Sequence, residues 1–348
     1  MGGTGLSRGP LSVVYLLEDT ALFGGVKVPI HQANLLAARG HRVTVVSKGE
    51  RPDWYRLDGD FRKVSSFDAG ELPHADVTVA TFWTTIVGAS LAPSRAAVQY
   101  CQGFEAGLTH NVGDHPAILE AYRVPLPCLA VSEPLARLVR TRFGRPTRVV
   151  PPALEPFWKP RWSRGSRGAP RVVVMHPFEF YMKGVEVGLE AVRLLRASGV
   201  GCTLVRISQL PLSEAERRVL VPDEFHANLT PRQVARLLRG ADLLLAPSWE
   251  QEGFGLPVLE AMACGVPVVA SDISAFRSFA GEAAVLVPHD SPELFAAAAR
   301  GVLEDPVRRR SLRAKGLEVA KAFSEKRVAE VTEAALYWVA EGRWSTEL

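Results

Sequence analysis

The 348-residue chain lacks several features that mark common classes of protein. No uninterrupted apolar run approaches the roughly 18 residues that a membrane-spanning helix needs. The four cysteines lie far apart and form no Cys-x-x-Cys pair, which disfavours both a zinc site and a disulfide framework. The net charge of +4 is too small to indicate nucleic-acid binding. What remains is a globular protein with reduced thiols, for which we expect a cytoplasmic location.

The N-terminal segment also lacks two patterns. It has no apolar core of a signal peptide, and Leu6 stands where an N-myristoylation pattern has Ser or Thr. We therefore interpret residues 1–10 as a disordered lead. No Gly-x-Gly-x-x-Gly follows the first predicted strand, residues 12–17, and this disfavours a nicotinamide-dependent dehydrogenase.

The chain does contain a regular alternation of short buried strands and helices, and this alternation occurs twice. The predicted strands are residues 12–17, 42–46, 76–80, 96–100, 127–131 and 147–150, then 171–175, 202–207, 242–246, 266–270 and 284–287. Helices between successive strands favour parallel sheets that are covered on both faces. The pattern predicts an α/β protein with two facing Rossmann-like domains and a ligand cleft between them.

Residues 151–170 interrupt the alternation, because they are rich in proline, glycine and basic residues. We interpret this segment as a linker between an N-terminal domain, residues 11–150, and a C-terminal domain, residues 171–322. Residues 323–348 are expected to form a C-terminal helix that can pack back on the N-terminal domain. Within the linker, residues 158–167 mix cations with aromatics, which suits either a solvated linker or a peripheral contact with the inner face of an anionic membrane.

The stretch from Pro247 to Pro267 contains the densest group of candidate site residues. Gly253 and Gly255 let the backbone approach a ligand or adopt positive φ. A helix predicted to start near Pro257 directs its free N–H groups toward this loop, an arrangement that favours bound phosphate. Glu252 and Glu260 flank the loop and suit hydrogen bonds to a polyhydroxylated ligand, although solvated glutamates are the alternative.

Residues 252–270 read Glu-Gly-Phe-Gly-Leu-Pro-x-Leu-Glu-Ala-Met-Ala-Cys-Gly-x-Pro-Val-Val-Ala. This sequence resembles the donor-site signature of the retaining GT-B-type glycosyltransferases of family 4, the glycosyl transferases group 1. Weaker resemblance extends from about residue 12 to residue 335 and includes Gly40-His41-x-Val43-Thr44-Val45-Val46, Val131-Ser132, Lys183-Gly184 and Phe323-Ser324.

The resemblance implies a nucleotide-diphosphate-sugar donor bound to the C-terminal domain and an acceptor bound to the N-terminal domain. It implies that Glu252 contacts the transferred sugar, Glu260 the ribose and Lys183 the diphosphate. The donor would also contact the loop residues Gly253, Phe254, Gly255 and Leu256. Gly25 begins the first helix, in a loop that faces the diphosphate in the family, although a plain strand-to-helix turn is the alternative.

The chain departs from the family pattern at two positions where members usually have a basic residue. Phe178 stands where members usually have an arginine, five residues before Lys183, so one cation for the diphosphate is missing. Arg206 at the end of a strand is a candidate replacement, although an exposed strand-end arginine is the alternative. Gln102 stands at the position of a family histidine, and we count it with Glu252 and Lys183 as a candidate catalytic residue.

Two further features have weaker functional interpretations. Asp58-Gly59-Asp60 matches the metal-binding Asp-x-Asp of a different glycosyltransferase fold, but Asp-Gly is a strong turn signal and we interpret it as a turn. His176 directly follows the end of a strand, where ligands bind in such folds, although a structural histidine is the default interpretation. We expect no metal and no other cofactor.

The sequence therefore predicts a metal-independent retaining hexosyl- or deoxyhexosyltransferase. Its expected acceptor is a hydroxyl of a glycan, a lipid-linked sugar or a small molecule, and no nucleic-acid partner is expected. Two alternatives are a sugar-nucleotide epimerase with the same fold and a catalytically weak nucleotide-sugar-binding protein.

Overall fold

The computed structural model describes residues 9–160 and 168–347. Residues 1–8 of the expected lead and residues 161–167 of the basic segment lie outside the described residues. Contacts divide the chain into two compact units. Unit 1 contains residues 1–131, 135–150 and 328–348, and unit 2 contains residues 132–134 and 151–327.

The centre of unit 1 is a seven-stranded sheet whose paired strands are all parallel, in the order β3-β2-β1-β4-β5-β6-β7. The strands are β1 (Ser12–Leu17), β2 (Arg42–Ser47), β3 (Asp60–Lys63), β4 (Ala75–Ala80), β5 (Ser94–Cys101), β6 (Cys128–Ala130) and β7 (Thr147–Val149). The connecting helices are α1 (Gly24–Ala38), α2 (Ile86–Leu91), α3 (His115–Arg123) and α4 (Glu133–Phe143). The interior strand β1 is almost entirely buried, as its run of apolar residues predicts.

Unit 2 repeats this arrangement with six parallel strands in the order β10-β9-β8-β11-β12-β13. The strands are β8 (Arg171–Met175), β9 (Thr203–Ser208), β10 (Glu224–Ala227), β11 (Leu243–Ala246), β12 (Val268–Ser271) and β13 (Val285–Val287). The helices are α5 (Val185–Ala197), α6 (Glu214–Val219), α7 (Pro231–Leu238), α8 (Leu256–Ala263), α9 (Ser274–Phe279), α10 (Pro292–Leu303) and α11 (Pro306–Lys321). Both sheets therefore reverse their strand order between the first and fourth strands of the unit, at β1/β4 and at β8/β11.

The last helix, α12 (Glu325–Ala340), begins in unit 2 and belongs to unit 1 from residue 328 onward. Glu333 of this helix accepts hydrogen bonds from Arg39, at 2.5 Å, and from Nε2 of His41, at 2.9 Å. The Arg148 guanidinium lies 4.5 Å from the ring centroid of Trp338, which is fully buried. These contacts hold α12 in unit 1.

The segment interpreted as a linker is partly packed into unit 2. Ala153, Leu154, Glu155 and Trp158 are buried, and Nε1 of Trp158 donates to Oε2 of Glu155 at 2.7 Å. The side chain of Trp158 therefore packs in the interior, and a solvated or membrane-facing part of residues 158–167 would not include it. No helix in the described ranges is long and apolar enough to cross a bilayer.

The alternation of strands and helices in the sequence is confirmed, but it does not predict β3 or β10. Both are four-residue strands at the equivalent sheet edge, with polar residues and no fully buried position. A half-exposed edge strand carries little of the apolar signal from which strands are predicted. Gly59 lies at the bend that leads into β3, and a side chain there would come within 2.7 Å of the Val43 carbonyl oxygen.

Candidate functional site

A pocket in unit 2 lies where the strand order reverses, at the carboxyl ends of β8 and β11. Its lining includes Met175, His176, Lys183, Ser248, Glu252 and Gly255. The sequence places these residues in three separate segments, and the fold brings them together because parallel strands end at the same edge of the sheet. The pocket is therefore the candidate ligand site of unit 2.

Lys183 and Glu252 form an ion pair in this pocket. The Lys183 ammonium donates to Oε2 of Glu252 at 2.7 Å, and the two side chains are only 16% and 9% exposed. Lys183 ends a short 3-10 turn, and Gly184 follows it with φ of 58°. A Cβ on Gly184 would lie 2.0 Å from the Pro247 carbonyl oxygen, so only glycine lets this turn approach the end of β11.

The Glu252 carboxylate is stabilised in its charged form despite its burial. Burial raises its pKa, but the charge of Lys183 and hydrogen bonds from Lys183 and Ser248 lower it, and the pKa lies below the ordinary range. An ionised carboxylate and an ammonium are therefore both present at the base of the pocket. Such a pair can bind a ligand that carries both hydroxyl groups and negative charge.

The start of α8 supplies backbone to the same pocket. Gly255 is the N-cap with φ of 93°, and a Cβ there would lie 2.2 Å from Cε1 of Phe276. No side chain caps this helix, and its first turn has no acidic residue. The positive end of the helix dipole therefore remains available to an anion beside Lys183.

The other predicted residues of this loop are placed differently. Phe254 is buried and stacks on Phe279 at 4.6 Å between ring centroids, so its side chain packs in the interior. The Gly253 carbonyl accepts a hydrogen bond at 2.8 Å from Ser132, which also belongs to unit 2. Glu260 is 6% exposed on α8, and Leu256 opens that helix.

Arg206 corrects two sequence-based interpretations. Its side chain is fully buried, so it is not an exposed strand-end residue. Its guanidinium pairs with Glu216 at 2.6 Å and donates to the carbonyl oxygens of Val174 and His176 at 2.7 and 2.8 Å. The guanidinium is thus committed to the protein interior, and we no longer assign Arg206 to the donor diphosphate.

Phe178, at the position of the family arginine, packs against the hydrophobic core of unit 2. Because the Phe178 ring packs against the core, the loop after β8 has no cation at this position. The positive charge that the sequence predicts beside the Gly loop therefore comes from Lys183.

A second pocket lies in unit 1, at the ends of β1, β4 and β5. It contains both Gly25 and Gln102, which the resemblance places near the ligands. The Gln102 amide nitrogen donates to the Gly25 carbonyl at 2.8 Å and lies 3.4 Å from the Thr81 carbonyl. Two acceptors therefore fix the amide orientation, with the Gln102 carbonyl on the opposite side.

Glu105 lines the same pocket, and sequence reasoning did not identify it. Burial raises its pKa to about 7, and a hydrogen bond from Tyr122, at 2.6 Å, partly opposes this. The only sequence signal is an acidic residue three positions after Gln102, and its burial comes from packing by a helix that follows later in the chain.

Possible metal ligands do not cluster in the described ranges, where no group of three or more His, Cys, Asp and Glu side chains could hold an ion. Asp58 instead accepts a hydrogen bond from Arg56 at 2.5 Å, and Asp60 opens the edge strand β3.

The match to a protein-family model lies within unit 2. Residues 169–305 match the family model described as Glycosyl transferases group 1. The chain is 37% identical over 110 residues to a D-inositol 3-phosphate glycosyltransferase of Kineococcus radiotolerans, an alignment that covers 29% of this chain and 25% of that protein. It is 48% identical over 73 residues to a phosphatidyl-myo-inositol mannosyltransferase of Mycolicibacterium smegmatis, covering 20% of this chain and 19% of that protein.

Similarity to solved structures covers both units. A glycosyltransferase from Rickettsia africae aligns with a TM-score of 0.74 at 12% identity, over 95% of this chain and 99% of that chain. Anabaena Alr3699/HepE in complex with UDP and glucose aligns with a TM-score of 0.76 at 15% identity, over 94% of this chain and 99% of that chain. Residues 169–305 therefore match the Glycosyl transferases group 1 family, and the chain shares the fold of GT-B glycosyltransferases, with two Rossmann-like domains built on parallel sheets.

Proposed function

We propose that this protein is a glycosyltransferase that moves a hexosyl or deoxyhexosyl group from a nucleotide-diphosphate-sugar to an acceptor hydroxyl, with retention of configuration. The observation that carries the proposal is the partly buried ion pair of Lys183 and Glu252 beside the uncapped start of α8. A cation, a helix N-terminus and a carboxylate within one pocket match the three parts of such a donor near its reacting bond: the diphosphate, its leaving oxygen and the sugar hydroxyls.

Lys183 would stabilise the leaving group. The β-phosphate gains negative charge as the glycosidic bond breaks, and a preorganised ammonium and backbone N–H groups in a partly buried pocket lower the energy of that charge. The ammonium has three N–H donors, so it can keep its hydrogen bond to Glu252 while it contacts phosphate.

Glu252 would accept hydrogen bonds from hydroxyl groups of the transferred sugar and hold Lys183 in place. Its lowered pKa keeps it acceptor-only near neutral pH. Glu260, one turn into α8, would bind the ribose hydroxyls of the nucleotide. No protein nucleophile is needed in this scheme, so retention would follow from attack of the acceptor on the face from which the diphosphate leaves.

The unit 1 pocket would bind the acceptor. Phe23 and Phe82 line it with 44% and 37% exposure, and Gln102 supplies a fixed amide. Aromatic faces beside hydrogen-bonding groups suit the ring of a sugar or other polyol. The acceptor would be a glycan, a lipid-linked sugar or a small molecule. We place the enzyme in the cytoplasm, with a peripheral contact at the inner membrane face, and without a metal requirement.

The proposal is tested by incubating the protein with a panel of nucleotide sugars and candidate acceptors and identifying the products by NMR. We expect release of a nucleoside diphosphate together with a glycoside of unchanged anomeric configuration. Glu252→Gln should lower turnover strongly, whereas Glu260→Gln should also weaken binding of the free nucleoside diphosphate. A product with inverted configuration would refute retention, and an isomerised nucleotide sugar formed without acceptor would identify an epimerase instead.

A further inference from the structure

His176 lies in the unit 2 pocket, where the function proposed above has no role for it. It directly follows β8 and lines the pocket together with Lys183 and Glu252. Its φ is 86°, in the left-handed region that residues other than glycine rarely adopt. Such a conformation persists only where the surrounding structure enforces it, and it often marks a functional site.

The surrounding structure holds the His176 backbone from both sides. Its N–H donates to the Ile207 carbonyl at 2.9 Å, and its carbonyl accepts from Arg206 at 2.8 Å. Arg206 is in turn fixed by the fully buried carboxylate of Glu216. The buried ion pair thus positions the backbone from which the imidazole reaches the pocket.

Burial and nearby positive charges keep the imidazole of His176 neutral in the absence of a ligand. Burial and the positive charges of Lys183 and Arg206 lower its pKa to about 3, although the Glu252 carboxylate raises it. These three residues come from the loop after β8, from β9 and from the loop after β11. The neutral ring has one N–H donor to offer.

A bound diphosphate would change this balance. It brings two negative charges to a pocket whose family arginine is replaced by Phe178, a core-packing residue. A nearby negative charge favours the protonated form of an imidazole. Resting on the proposed function, we propose that His176 is the second diphosphate-binding residue of this pocket and that it takes up a proton when a nucleotide sugar binds.

The proton balance is simple. The proton comes from solvent, adds to the free ring nitrogen of His176 and returns to solvent when the nucleotide leaves. The diphosphate of a nucleotide sugar is a diester that stays fully ionised near neutral pH, so the ligand itself takes up no proton. Affinity must therefore rise as the pH falls toward the pKa of His176 in the complex.

The test is isothermal titration calorimetry with UDP-glucose, GDP-mannose, ADP-glucose and dTDP-glucose. Wild-type protein is titrated at about pH 6 and about pH 8, in two buffers of different ionisation enthalpy, which reports proton uptake directly. We expect net uptake near pH 6 and an affinity there about threefold or more higher than near pH 8. This measurement needs no variant, so it does not depend on how a substitution folds.

The discriminating variant is His176→Asn. Asparagine tolerates the left-handed conformation and keeps an N–H donor, but it cannot take up the proton. Its affinity should match that of wild type near pH 8 and fail to rise near pH 6. The matched control is His226→Asn, a partly exposed histidine on β10 that pairs with Glu224 and should keep the wild-type response.

Proton uptake that disappears in His176→Asn and persists in His226→Asn would support the inference. Wild-type binding without proton uptake, or an unchanged pH response in His176→Asn, would overturn it and leave the proposed function intact. Absence of binding by wild type to all four nucleotide sugars would instead count against the proposed function, on which the inference rests.

Discussion

The two pockets occupy the same place in two copies of one topology, yet their chemistry differs. Each lies where the strand order reverses, next to the first and fourth strands of its unit. The unit 2 pocket contains Lys183, Glu252 and a neutral His176, whereas none of the described residues lining the unit 1 pocket is basic. Glu18 of that lining is paired with Lys48, at 2.8 Å.

Under the proposed function, this difference would divide two binding tasks between two copies of one fold. A diphosphate needs fixed positive charge, and unit 2 provides it with one lysine and one helix N-terminus. A neutral polyol needs hydrogen bonds and apolar faces, and unit 1 provides these with Gln102, Phe23 and Phe82. Because the two units share one strand topology, the difference in pocket chemistry comes from the loops that follow the strands.

The largest expected effect comes from removing the lysine side chain of the unit 2 pocket. Lys183→Ala should lower kcat/KM at least about tenfold, because a charge-assisted hydrogen bond is worth about 1.5–3 kcal/mol and Glu252 is left without its partner. Lys183→Arg should recover only part of the activity, since a planar guanidinium does not reproduce a compact ammonium. Steady-state kinetics measures both variants.

The control for this series is Lys321→Ala, which removes an exposed lysine that pairs with its helix neighbour Glu318. It should leave kcat/KM unchanged. A loss below about twofold for Lys183→Ala would contradict the contrast between the two pockets, because it would make Lys183 an ordinary surface residue.

A smaller effect is expected from the unit 1 pocket. Gln102→Ala removes the hydrogen bond to the Gly25 carbonyl and should lower kcat/KM for transfer by about three- to tenfold, the value of a neutral hydrogen bond. Binding of the nucleoside diphosphate should change less than about twofold. Equal losses of nucleotide affinity in Gln102→Ala and Lys183→Ala would show that the two pockets do not divide the substrates.

Glu105 of the unit 1 pocket allows a test based on the pH dependence of the free energy of unfolding. Its pKa is raised by burial from 4.5 to about 7, so the folded protein holds this proton more tightly than the unfolded chain does. Its contribution to the free energy of unfolding is therefore complete below about pH 4.5 and is lost as the pH rises through about 7, a change on the order of 3 kcal/mol.

Glu105→Gln keeps the shape of the side chain and has no proton to lose. Relative to wild type, the variant should gain stability between about pH 5.5 and about pH 8, as measured by urea unfolding at both values. A constant difference between the two proteins across this range would mean that Glu105 is not buried as described.

The smallest expected effect concerns metal. Asp58→Ala combined with Asp60→Ala should leave activity unchanged, because both residues lie on the exposed rim of unit 1 at the start of β3. Activity should also survive excess EDTA. Loss of activity in EDTA with rescue by Mn²⁺ or Mg²⁺ would show that a cation assists Lys183.

The sequence predicted the unit 2 pocket far better than the unit 1 pocket. Lys183, Glu252 and Gly255 lie within short motifs whose glycines are required by local geometry, so a linear pattern suffices to find them. Gln102 was found only by its alignment with a family position. Glu105 was missed, because its burial depends on Tyr122, seventeen residues further along the chain.

Arg206 shows why some predictions fail. A strand-end arginine is usually exposed, but this one is neutralised by Glu216 from a helix ten residues away, and only the folded chain reveals that pairing. The conformation of His176 was equally hidden, since no sequence signal predicts positive φ for a histidine. In both cases tertiary contacts override the local preference.

The most direct test of the central claim is a thermal-shift measurement with a panel of nucleotide sugars. The account predicts that at least one nucleotide sugar stabilises wild type and Lys321→Ala, by about 2.7 kcal/mol at a hundredfold excess over Kd, and that the shift is lost or strongly reduced in Lys183→Ala. An equal shift in Lys183→Ala and wild type would contradict the claim that the charged pocket of unit 2 binds the donor.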